Sequence, residues 1–412
     1  MKRFDPIESM AQARHEFGEH GGVNMSIEAS TTFTVLKADT MPDIFHGLRG
    51  PEEGCYLYGR HFNPTVYVLG RQLAAMEGTE AGYATASGMS AIACAALQLV
   101  RHGDHVVVSN TVYGGTFALF RDYLPQRTGL RVSFVDMTDH AAVEAAFTKD
   151  TRFLYVETMS NPTLMVADIP RLADIAHRHG ARLLVDNTFC PLIISPARLG
   201  ADVVLHSLTK FVSGASDIIA GAVCGSREFI MSLMDVNQGG LMLLGPTMDP
   251  FVAGKLSLRL PHLGIRMVEH SRRAMFFAGN LEQRGETVIY PGLPAHPQHA
   301  LLDRISNPGF GYGGIFGMEL GTEERADRLM EILQNKDRFG MIAVSLGYFD
   351  TLLSCSASST SSELSEEDQK KAGISPGLVR ISIGYTGTLE QRWEQFTDAL
   401  AELKKEESLL VR

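Results

Sequence analysis

The sequence lacks the features of a membrane protein, a disulfide-stapled scaffold or a nucleic-acid-binding protein. In 412 residues no apolar run approaches the length of a membrane span, and no apolar segment follows the basic N-terminus as in a secretory signal. The five cysteines lie far apart without a CxxC pair, which argues against a disulfide framework or a zinc knuckle. The net charge of −10 provides no basic surface for nucleic acid. These absences predict a cytoplasmic globular protein without membrane or nucleic-acid partners.

Motifs for nucleotides and metals are also missing. No G-x-G-x-x-G follows the first predicted strand, and no G-x-x-x-x-G-K-[ST] occurs, which argues against dinucleotide and nucleoside triphosphate sites. The close histidine pairs are His177 with His179 and His296 with His299. Because neither pair has the H-E-x-x-H setting, surface or core roles are favoured and no metal site is expected.

Apolar periodicity divides the chain into three parts. Residues 1–62 show little periodicity and resemble an arm that packs against another surface. Residues 63–255 alternate β-rich apolar runs with amphipathic helical stretches, which predicts an α/β domain with a largely parallel sheet covered by helices. Residues 256–412 have irregular spacing and indicate a smaller α+β C-terminal domain. The length also favours more than one packed unit.

The same pattern predicts individual elements. The strands of the α/β part are DHVVVSN, RVSFVDM, RFLYVETM, RLLVDNTF, ADVVLHS and AGAVCG, with a short run AGYATA after a helix at 64–77. In the last part we expect helices at 323–334 and 388–405 and strands near 341–346 and 379–383. Residues 354–377 are rich in serine and mixed charge, and this composition favours a solvated loop with a short helix over a segment bordering an active site.

Ligands in such a sheet bind beyond the carboxyl ends of the strands, where this sequence carries polar residues. The strand RLLVD ends at Asp186, a buried carboxylate that needs a cation or hydrogen-bond donors. After the next strand, Ser207 and Thr209 are spaced to reach one phosphate, and Lys210 is placed where its pKa can be lowered.

Two further loops complete this pattern. Ser87-Gly88-Met89-Ser90 opens a helix, and glycine at a helix N-terminus lets the backbone approach an anion. Tyr113 lies after another strand and can stack on a planar ligand. A phosphate cradle, a stacking aromatic, a carboxylate for a ring nitrogen and an amine that forms a Schiff base are the parts that pyridoxal phosphate requires. The order of these parts along one sheet predicts a pyridoxal phosphate site.

Six segments resemble the Cys/Met metabolism enzymes that depend on pyridoxal phosphate, the cystathionine γ-synthase and methionine γ-lyase group. They are SGMSAI (87–92), VYGGTFAL (112–119), ETMSNPT (157–163), VDNTF (185–189), SLTKF (207–211) and VRISIGYTG (379–387). The likeness extends from about residue 15 to residue 400. It implies the fold type I of pyridoxal-phosphate-dependent transferases, which is aspartate aminotransferase-like, with a mostly parallel seven-stranded sheet.

The resemblance implies a role for each matching residue. Lys210 holds the cofactor covalently and later shuttles protons, and Asp186 pairs with the pyridine nitrogen. Tyr113 stacks on the ring and acts as the acid–base group at the γ-leaving atom, while Asn161 hydrogen-bonds the ring hydroxyl. The phosphate is bound by Gly88, Met89, Ser207 and Thr209, joined by Tyr58 and Arg60 of a neighbouring subunit. The substrate carboxylate is bound by Ser345 and Arg380, whose planar guanidinium suits a carboxylate.

The resemblance also implies a homo-oligomer. The smallest active unit is expected to be a dimer, and members of the family usually pair two dimers into a tetramer. HEFGEHGGVNMSIEASTTF, YGRHFNPT, GLMLLGPTM and CSASSTSSEL most resemble the plant-type methionine γ-lyases, so cleavage of methionine to methanethiol, 2-oxobutanoate and ammonia is the leading expectation. Bacterial methionine γ-lyases usually have Cys at Gly115 and a lysine in the segment that reads Gly239-Gly240-Leu241-Met242 here. A canavanine γ-lyase, with Glu28 meeting the guanidinooxy tail, and a γ-replacement enzyme stay as alternatives.

Overall fold

The computed structural model describes residues 4–13, 17–355, 367, 369 and 373–410. In this part of the chain no helix is both long enough and apolar enough to span a bilayer. The serine-rich stretch within 354–377 lies mostly outside the described residues, so neither interpretation of it is tested.

Seven strands of the described chain form the larger sheet, in the spatial order β1-β7-β6-β5-β4-β2-β3. They are β1 (Ala81–Thr85), β2 (His105–Ser109), β3 (Arg131–Val135), β4 (Thr151–Glu157), β5 (Arg182–Asp186), β6 (Val203–Ser207) and β7 (Gly221–Gly225). Neighbours from β3 to β6 pair in parallel, and β7 pairs antiparallel with both β1 and β6. The strands are short and apolar because helices cover both faces of the sheet. The predicted α/β fold with a mostly parallel seven-stranded sheet is confirmed.

The helix predicted at 64–77 shows how local sequence sets the element bounds. Asn63 accepts hydrogen bonds from the backbone N–H groups of Thr65 and Val66, Pro64 occupies the first turn, and Gly78 ends the helix with φ +71°. The remaining helices of the large-sheet half are Pro6–Ala13, Thr40–Phe45, Gly88–Leu99, Gly114–Ala118, Leu124–Thr128, His140–Ala145, Ile169–Arg178, Arg227–Leu233, Gly240–Leu244 and Pro250–Arg259.

The smaller sheet has the order β10-β11-β12-β9-β8 and is antiparallel except where β10 pairs with β11. Its strands are β8 (Thr287–Ile289), β9 (Ile315–Glu319), β10 (Met341–Ile342), β11 (Leu352–Cys355) and β12 (Leu378–Ser382). Helices Leu263–Gln283, His299–Ile305, Glu323–Glu331 and Leu389–Leu410 accompany it. The expected smaller α+β unit is present, although β8, β9 and β11 were not predicted because they are short and flanked by irregular segments.

Two apolar cores lie in the described chain, and helix Leu263–Gln283 connects them. Leu263 and Met267 pack in the core of the larger sheet, whereas Phe277 and Leu281 pack in the core of the smaller one. At 1.5 Å per residue, its 21 residues span about 30 Å, enough to reach both cores. The division at 62 and 255 stays a prediction, because this continuous helix passes from one core to the other without a loop.

The segment 17–61 carries an unusual amount of exposed apolar surface. Its exposed large side chains are Phe17, Val23, Ile27, Leu36, Met41, Phe45, Leu48 and Tyr58. Monomeric proteins seldom leave so many apolar groups in water along one segment.

Candidate active site

Parallel strands place the predicted polar residues at one edge of the larger sheet. Glu157 ends β4 and Asp186 ends β5, and the two are register partners. Ser207 ends the next strand, β6, and its backbone N–H donates to the Thr188 hydroxyl at 2.8 Å. A cavity of about 420 Å³ opens at this edge. All predicted site residues except Tyr58 and Arg60 line it: Gly88, Met89, Tyr113, Asn161, Asp186, Ser207, Thr209, Lys210, Ser345 and Arg380.

Tyr58 and Arg60 lie elsewhere. The Tyr58 ring is half exposed, and the Arg60 guanidinium carbon lies 5.6 Å from its centroid. Arg60 Nη1 donates to the backbone carbonyl of Met242 at 2.7 Å. Neither residue lines the cavity of its own chain, and their role in a neighbouring subunit stays a prediction.

Lys210 follows β6 in a turn held close to the smaller sheet. Gly347 has φ +74°, and a Cβ there would come within 2.5 Å of the Phe211 nitrogen, so only glycine permits this close approach. The Lys210 Nζ donates to the Ser345 hydroxyl at 2.8 Å. Burial, with a smaller effect of the Arg380 guanidinium, lowers the pKa of Lys210 to about 8. About a tenth of the amine is therefore uncharged and nucleophilic at pH 7, far more than for an ordinary lysine.

Asp186 is a buried carboxyl group that receives several donors. Thr188 donates to its Oδ1 from both the backbone N–H, at 2.9 Å, and the hydroxyl, at 2.5 Å. The Tyr155 hydroxyl donates to Oδ2 at 3.4 Å. Burial raises the pKa of Asp186, and the Thr188 donors act in the opposite direction. A cationic N–H group in the cavity would give this carboxylate the partner that the protein does not supply.

An anion cradle lies at the N-terminus of helix Gly88–Leu99. Ser87 caps this helix by accepting from the Ser90 backbone N–H at 3.1 Å. A Cβ on Gly88 would lie 2.8 Å from the Ser207 Cβ, so glycine is needed for the helix to meet β6. The Thr209 hydroxyl, beside them on the cavity wall, is hydrogen-bonded to the backbone of Ala220. The helix dipole and free N–H groups favour a phosphate here.

Arg380, in β12, is buried with only neutral partners. Its Nη1 donates to Asn161 Oδ1 at 3.0 Å and its Nη2 to the Ser345 carbonyl at 2.8 Å, while Nε has no hydrogen-bond partner in the described chain. Burial lowers the pKa of Arg380 to about 10. Ser345 presents its carbonyl from a left-handed conformation with φ +91°, a strained geometry for serine. A buried guanidinium without an anion is suited to a carboxylate ligand.

Tyr113 forms part of the opposite wall, and its side chain is 44% exposed. Its backbone N–H donates to Glu157 Oε1 at 2.7 Å, directly before helix Gly114–Ala118. A Cβ on Gly115 would lie 2.7 Å from the Tyr113 ring carbon Cε1, so the ring lies against the bare glycine backbone.

The cavity also includes residues that the sequence interpretation missed. They are Ser87, Ile92, Glu157, Met159, Thr188, Phe189, Ile219, Val344 and Leu346. The signal for Glu157 was available, because it ends a strand as Asp186 does. Val344 and Leu346 flank Ser345 and could have been inferred from it. Ile219 lies well beyond Lys210 in the chain, and only the folded loop brings it to the cavity.

These residues fit pyridoxal phosphate. The glycine cradle suits the phosphate, the Asp186 carboxyl, which no lysine or arginine of the described chain hydrogen-bonds, suits a protonated pyridine nitrogen, and the Lys210 amine can form a Schiff base. Ser207 and Thr209 line the same cavity as the cradle and Lys210. The phosphate of the cofactor thus meets a positive helix end, and its protonated ring nitrogen meets a carboxylate.

Comparisons with known proteins agree with this fit. A sequence profile of Cys/Met metabolism PLP-dependent enzymes matches residues 8–401. Methionine gamma-lyase of Arabidopsis thaliana is 57% identical over 396 residues, which cover 96% of this chain and 90% of that protein. O-succinylhomoserine sulfhydrylase of Pseudomonas aeruginosa is 38% identical over 386 residues, covering 92% of this chain and 91% of that protein.

A solved structure carries the same fold with a cofactor adduct. It is assigned as an O-acetylhomoserine (thiol)-lyase from Campylobacter jejuni and contains N'-pyridoxyl-lysine-5'-monophosphate. It matches with a TM-score of 0.89 at 28% identity, covering 97% of this chain and 100% of that one. The fold, the cavity and the sequence match lead to one conclusion: this chain belongs to the Cys/Met metabolism PLP-dependent enzyme family, and pyridoxal phosphate is its cofactor.

Proposed function

We propose that the protein is a γ-lyase that converts L-methionine and water to methanethiol, 2-oxobutanoate and ammonia. The observation that carries this proposal is the lining of the cavity. Its ionisable groups apart from Tyr113 are Lys210, Arg380, Asp186 and Glu157, and both carboxyl groups end strands of the sheet. The rest of the wall is largely apolar or small, which suits a thioether tail.

Arg380 and Ser345 provide the proposed anchor for the substrate. Arg380 holds two neutral acceptors and has an unpartnered Nε, so a carboxylate gives it the missing anion. The anchored amino acid places its α-carbon near Lys210, whose Nζ lies 2.8 Å from the Ser345 hydroxyl. Recognition of the carboxylate therefore also orients the substrate toward the amine.

Pyridoxal phosphate supplies an electron sink that stabilises negative charge at the substrate α-carbon. The protein moves the protons. With its pKa lowered to about 8, Lys210 can remove the Cα proton and return it at a neighbouring carbon. Asp186 holds the ring nitrogen, and Tyr113 donates a proton to the departing sulfur. Water then supplies the oxygen of 2-oxobutanoate as ammonia leaves.

The canavanine alternative requires a carboxylate near the tail of the substrate. Glu28, the residue suggested for it, does not line the cavity of its own chain, as is also true of Tyr58 and Arg60, so it could reach a substrate only in a neighbouring subunit. Its carboxylate accepts from the Ser30 backbone N–H at 2.7 Å, and its own N–H donates to the Thr65 hydroxyl.

The γ-replacement alternative has support from a 38% identical O-succinylhomoserine sulfhydrylase. The 57% identity to a methionine gamma-lyase favours elimination over replacement.

Product identification tests the proposal. The protein is incubated separately with L-methionine, L-canavanine, and an O-acylhomoserine plus a thiol, and the carbon products are identified. We expect 2-oxobutanoate from methionine at a rate above that of the other reactions. Turnover of canavanine to homoserine with inert methionine would overturn the substrate assignment, and a faster thiol-dependent reaction would favour replacement.

We also propose that the active unit is a homodimer, assembled as a dimer of dimers, in the cytoplasm. Tyr58 and Arg60 lie outside their own cavity, and Ile219 and Val344 on its wall are 73% and 65% exposed, which leaves its mouth available to a neighbouring chain. None of the five cysteines, all within the described residues, forms a disulfide, which suits a reducing compartment.

A mixing experiment tests the assembly. Arg60→Ala and Lys210→Ala chains, each inactive alone, should regain part of the activity when subunits exchange, because one mixed site receives both intact residues. Absence of recovery despite demonstrated exchange would mean that each site is built within one chain.

A further inference from the structure

Glu157 is a carboxyl group in the cavity to which the proposed reaction assigns no role. It ends β4 beside Asp186, and it is only 6% exposed. A buried carboxyl group is costly to retain unless its oxygens are hydrogen-bonded. Its contacts therefore indicate what it does.

The carboxyl group of Glu157 joins two loops that carry site residues. Its Oε1 accepts the backbone N–H of Tyr113 at 2.7 Å, after β2, and the carboxyl also accepts the backbone N–H of Asn161, after β4. The Asn161 side chain in turn accepts from Arg380. Glu157 thus lies in one line of contacts from Tyr113 to the guanidinium proposed to bind substrate.

Glu157 and Asp186 are hydrogen-bonded by different donors. Asp186 receives the Thr188 hydroxyl in addition to a backbone N–H group, whereas Glu157 receives backbone N–H groups and no lysine or arginine of the described chain hydrogen-bonds it. Burial and the neighbouring Asp186 raise the pKa of Glu157 well above its usual value. Glutamine is a close replacement, since it has nearly the same shape and keeps an accepting oxygen.

We propose that Glu157 is a positioning residue that sets the Tyr113 backbone, and through it the Tyr113 hydroxyl, for proton donation to the leaving group. This inference rests on the proposed γ-elimination for the role of Tyr113. The Glu157 carboxyl hydrogen-bonds the Tyr113 backbone amide and not its ring. It therefore acts by fixing the backbone position from which the Tyr113 side chain extends. The same carboxyl holds Asn161, so the two loops keep a fixed separation.

Kinetics of single and double variants test the proposal. Glu157→Ala should lower kcat by about 10- to 100-fold while changing KM less, because a displaced acid slows the chemical step more than binding. Glu157→Gln should recover most of this loss. In a Tyr113→Phe background, Glu157→Ala should cost less than about threefold, because the hydroxyl that it positions is already absent. Glu144→Ala, which removes a surface partner of Arg178, is the matched control and should leave kcat unchanged.

A second measurement needs no turnover. The circular-dichroism band of the bound cofactor depends on the position of the aromatic ring that stacks on it. Glu157→Ala should therefore change this band, and Glu157→Gln should largely preserve it. Equal losses of kcat in the parent and in the Tyr113→Phe background, or an unchanged band, would overturn the proposal. If Glu157→Ala does not fold, the same comparison is made with Glu157→Asp, whose carboxyl is one methylene shorter. Inert methionine with the expected band change would count against the proposed substrate and not against Glu157.

Discussion

Replacing Gly115 by alanine isolates the effect of ring position on the proposed reaction. Gly115 lies in helix Gly114–Ala118, where alanine is intrinsically favoured over glycine by about 0.5–1 kcal/mol, so the change does not oppose the backbone. The added Cβ would lie 2.7 Å from the Tyr113 Cε1. The substitution therefore acts on the ring of Tyr113 and not on the fold.

The size of the effect follows from that distance. Carbon atoms pack at about 3.5–4.0 Å, so the ring must move by about 1 Å. A displacement of about 1 Å in a reacting group can cost about 100-fold in rate. Because the tyrosine side chain can swing partly aside, we expect kcat to fall by about 10- to 100-fold, or about 1.4–2.7 kcal/mol in the barrier.

Steady-state kinetics with L-methionine provide the assay, with cofactor content measured on the same samples. Gly279→Ala is the matched control, because a Cβ there meets nothing within 4 Å and Gly279 also lies in a helix. We expect full cofactor content in both variants and a loss of kcat only in Gly115→Ala. A Gly115→Ala enzyme with the parent kcat would refute the reasoning that the bare glycine backbone sets the Tyr113 ring.

Three other predictions concern the cofactor site and the fold. Gly88→Ala should weaken pyridoxal phosphate binding by at least about tenfold in an absorbance titration of the apoprotein, because its Cβ would lie 2.8 Å from the Ser207 Cβ; unchanged affinity would argue against the cradle. Borohydride should trap the cofactor on the peptide containing Lys210. When pyridoxal phosphate is added to the apoprotein, the rate of Schiff-base formation should rise with pH to a midpoint near 8, since burial lowers the pKa of the Lys210 amine; a midpoint above 10 would contradict it. Burial lowers the pKa of His270 to about 4. As pH falls, the unfolded state therefore binds a proton at this histidine before the folded state does. The contribution of neutral His270 to the free energy of unfolding is full above about pH 6.5 and is lost as pH falls toward 4. Denaturant unfolding should show about 2 kcal/mol less stability at pH 5 than at pH 8 from this residue, and His270→Leu should reduce that difference.

The larger sheet could be predicted from the sequence because its signals are local. Each strand is a short apolar run, and helix Pro64–Glu77 has its cap, its proline and its terminal glycine next to one another. The smaller sheet was harder to predict. Strand β8 has only three residues, too few for a detectable pattern of buried and exposed positions, whereas β10 (Met341–Ile342) falls within the strand expected near 341–346.

The site was predictable where a polar residue ends an apolar strand, and the resemblance supplied the roles. Asp186, Ser207 and Lys210 were found in this way. Glu157 has the same signal, but the sequence does not distinguish it from the solvated glutamates that are usual in proteins. Glu157 is buried because β5 lies alongside β4. This neighbour is set by the strand order of the sheet and cannot be inferred from the residues around Glu157.

The amino-acid sequence by itself determined the strands of the larger sheet, the glycine cradle, and the identity of the amine and the carboxylate, whereas the guanidinium was identified through the family resemblance. These depend on residue type and on neighbours a few positions away. Only the tertiary structure decided that Ser345 contacts both Lys210 and Arg380, that Glu157 contacts Tyr113, and that Tyr58 and Arg60 lie away from their own cavity. Such contacts join residues distant in the chain, because sheet register and the approach of the smaller sheet set these distances.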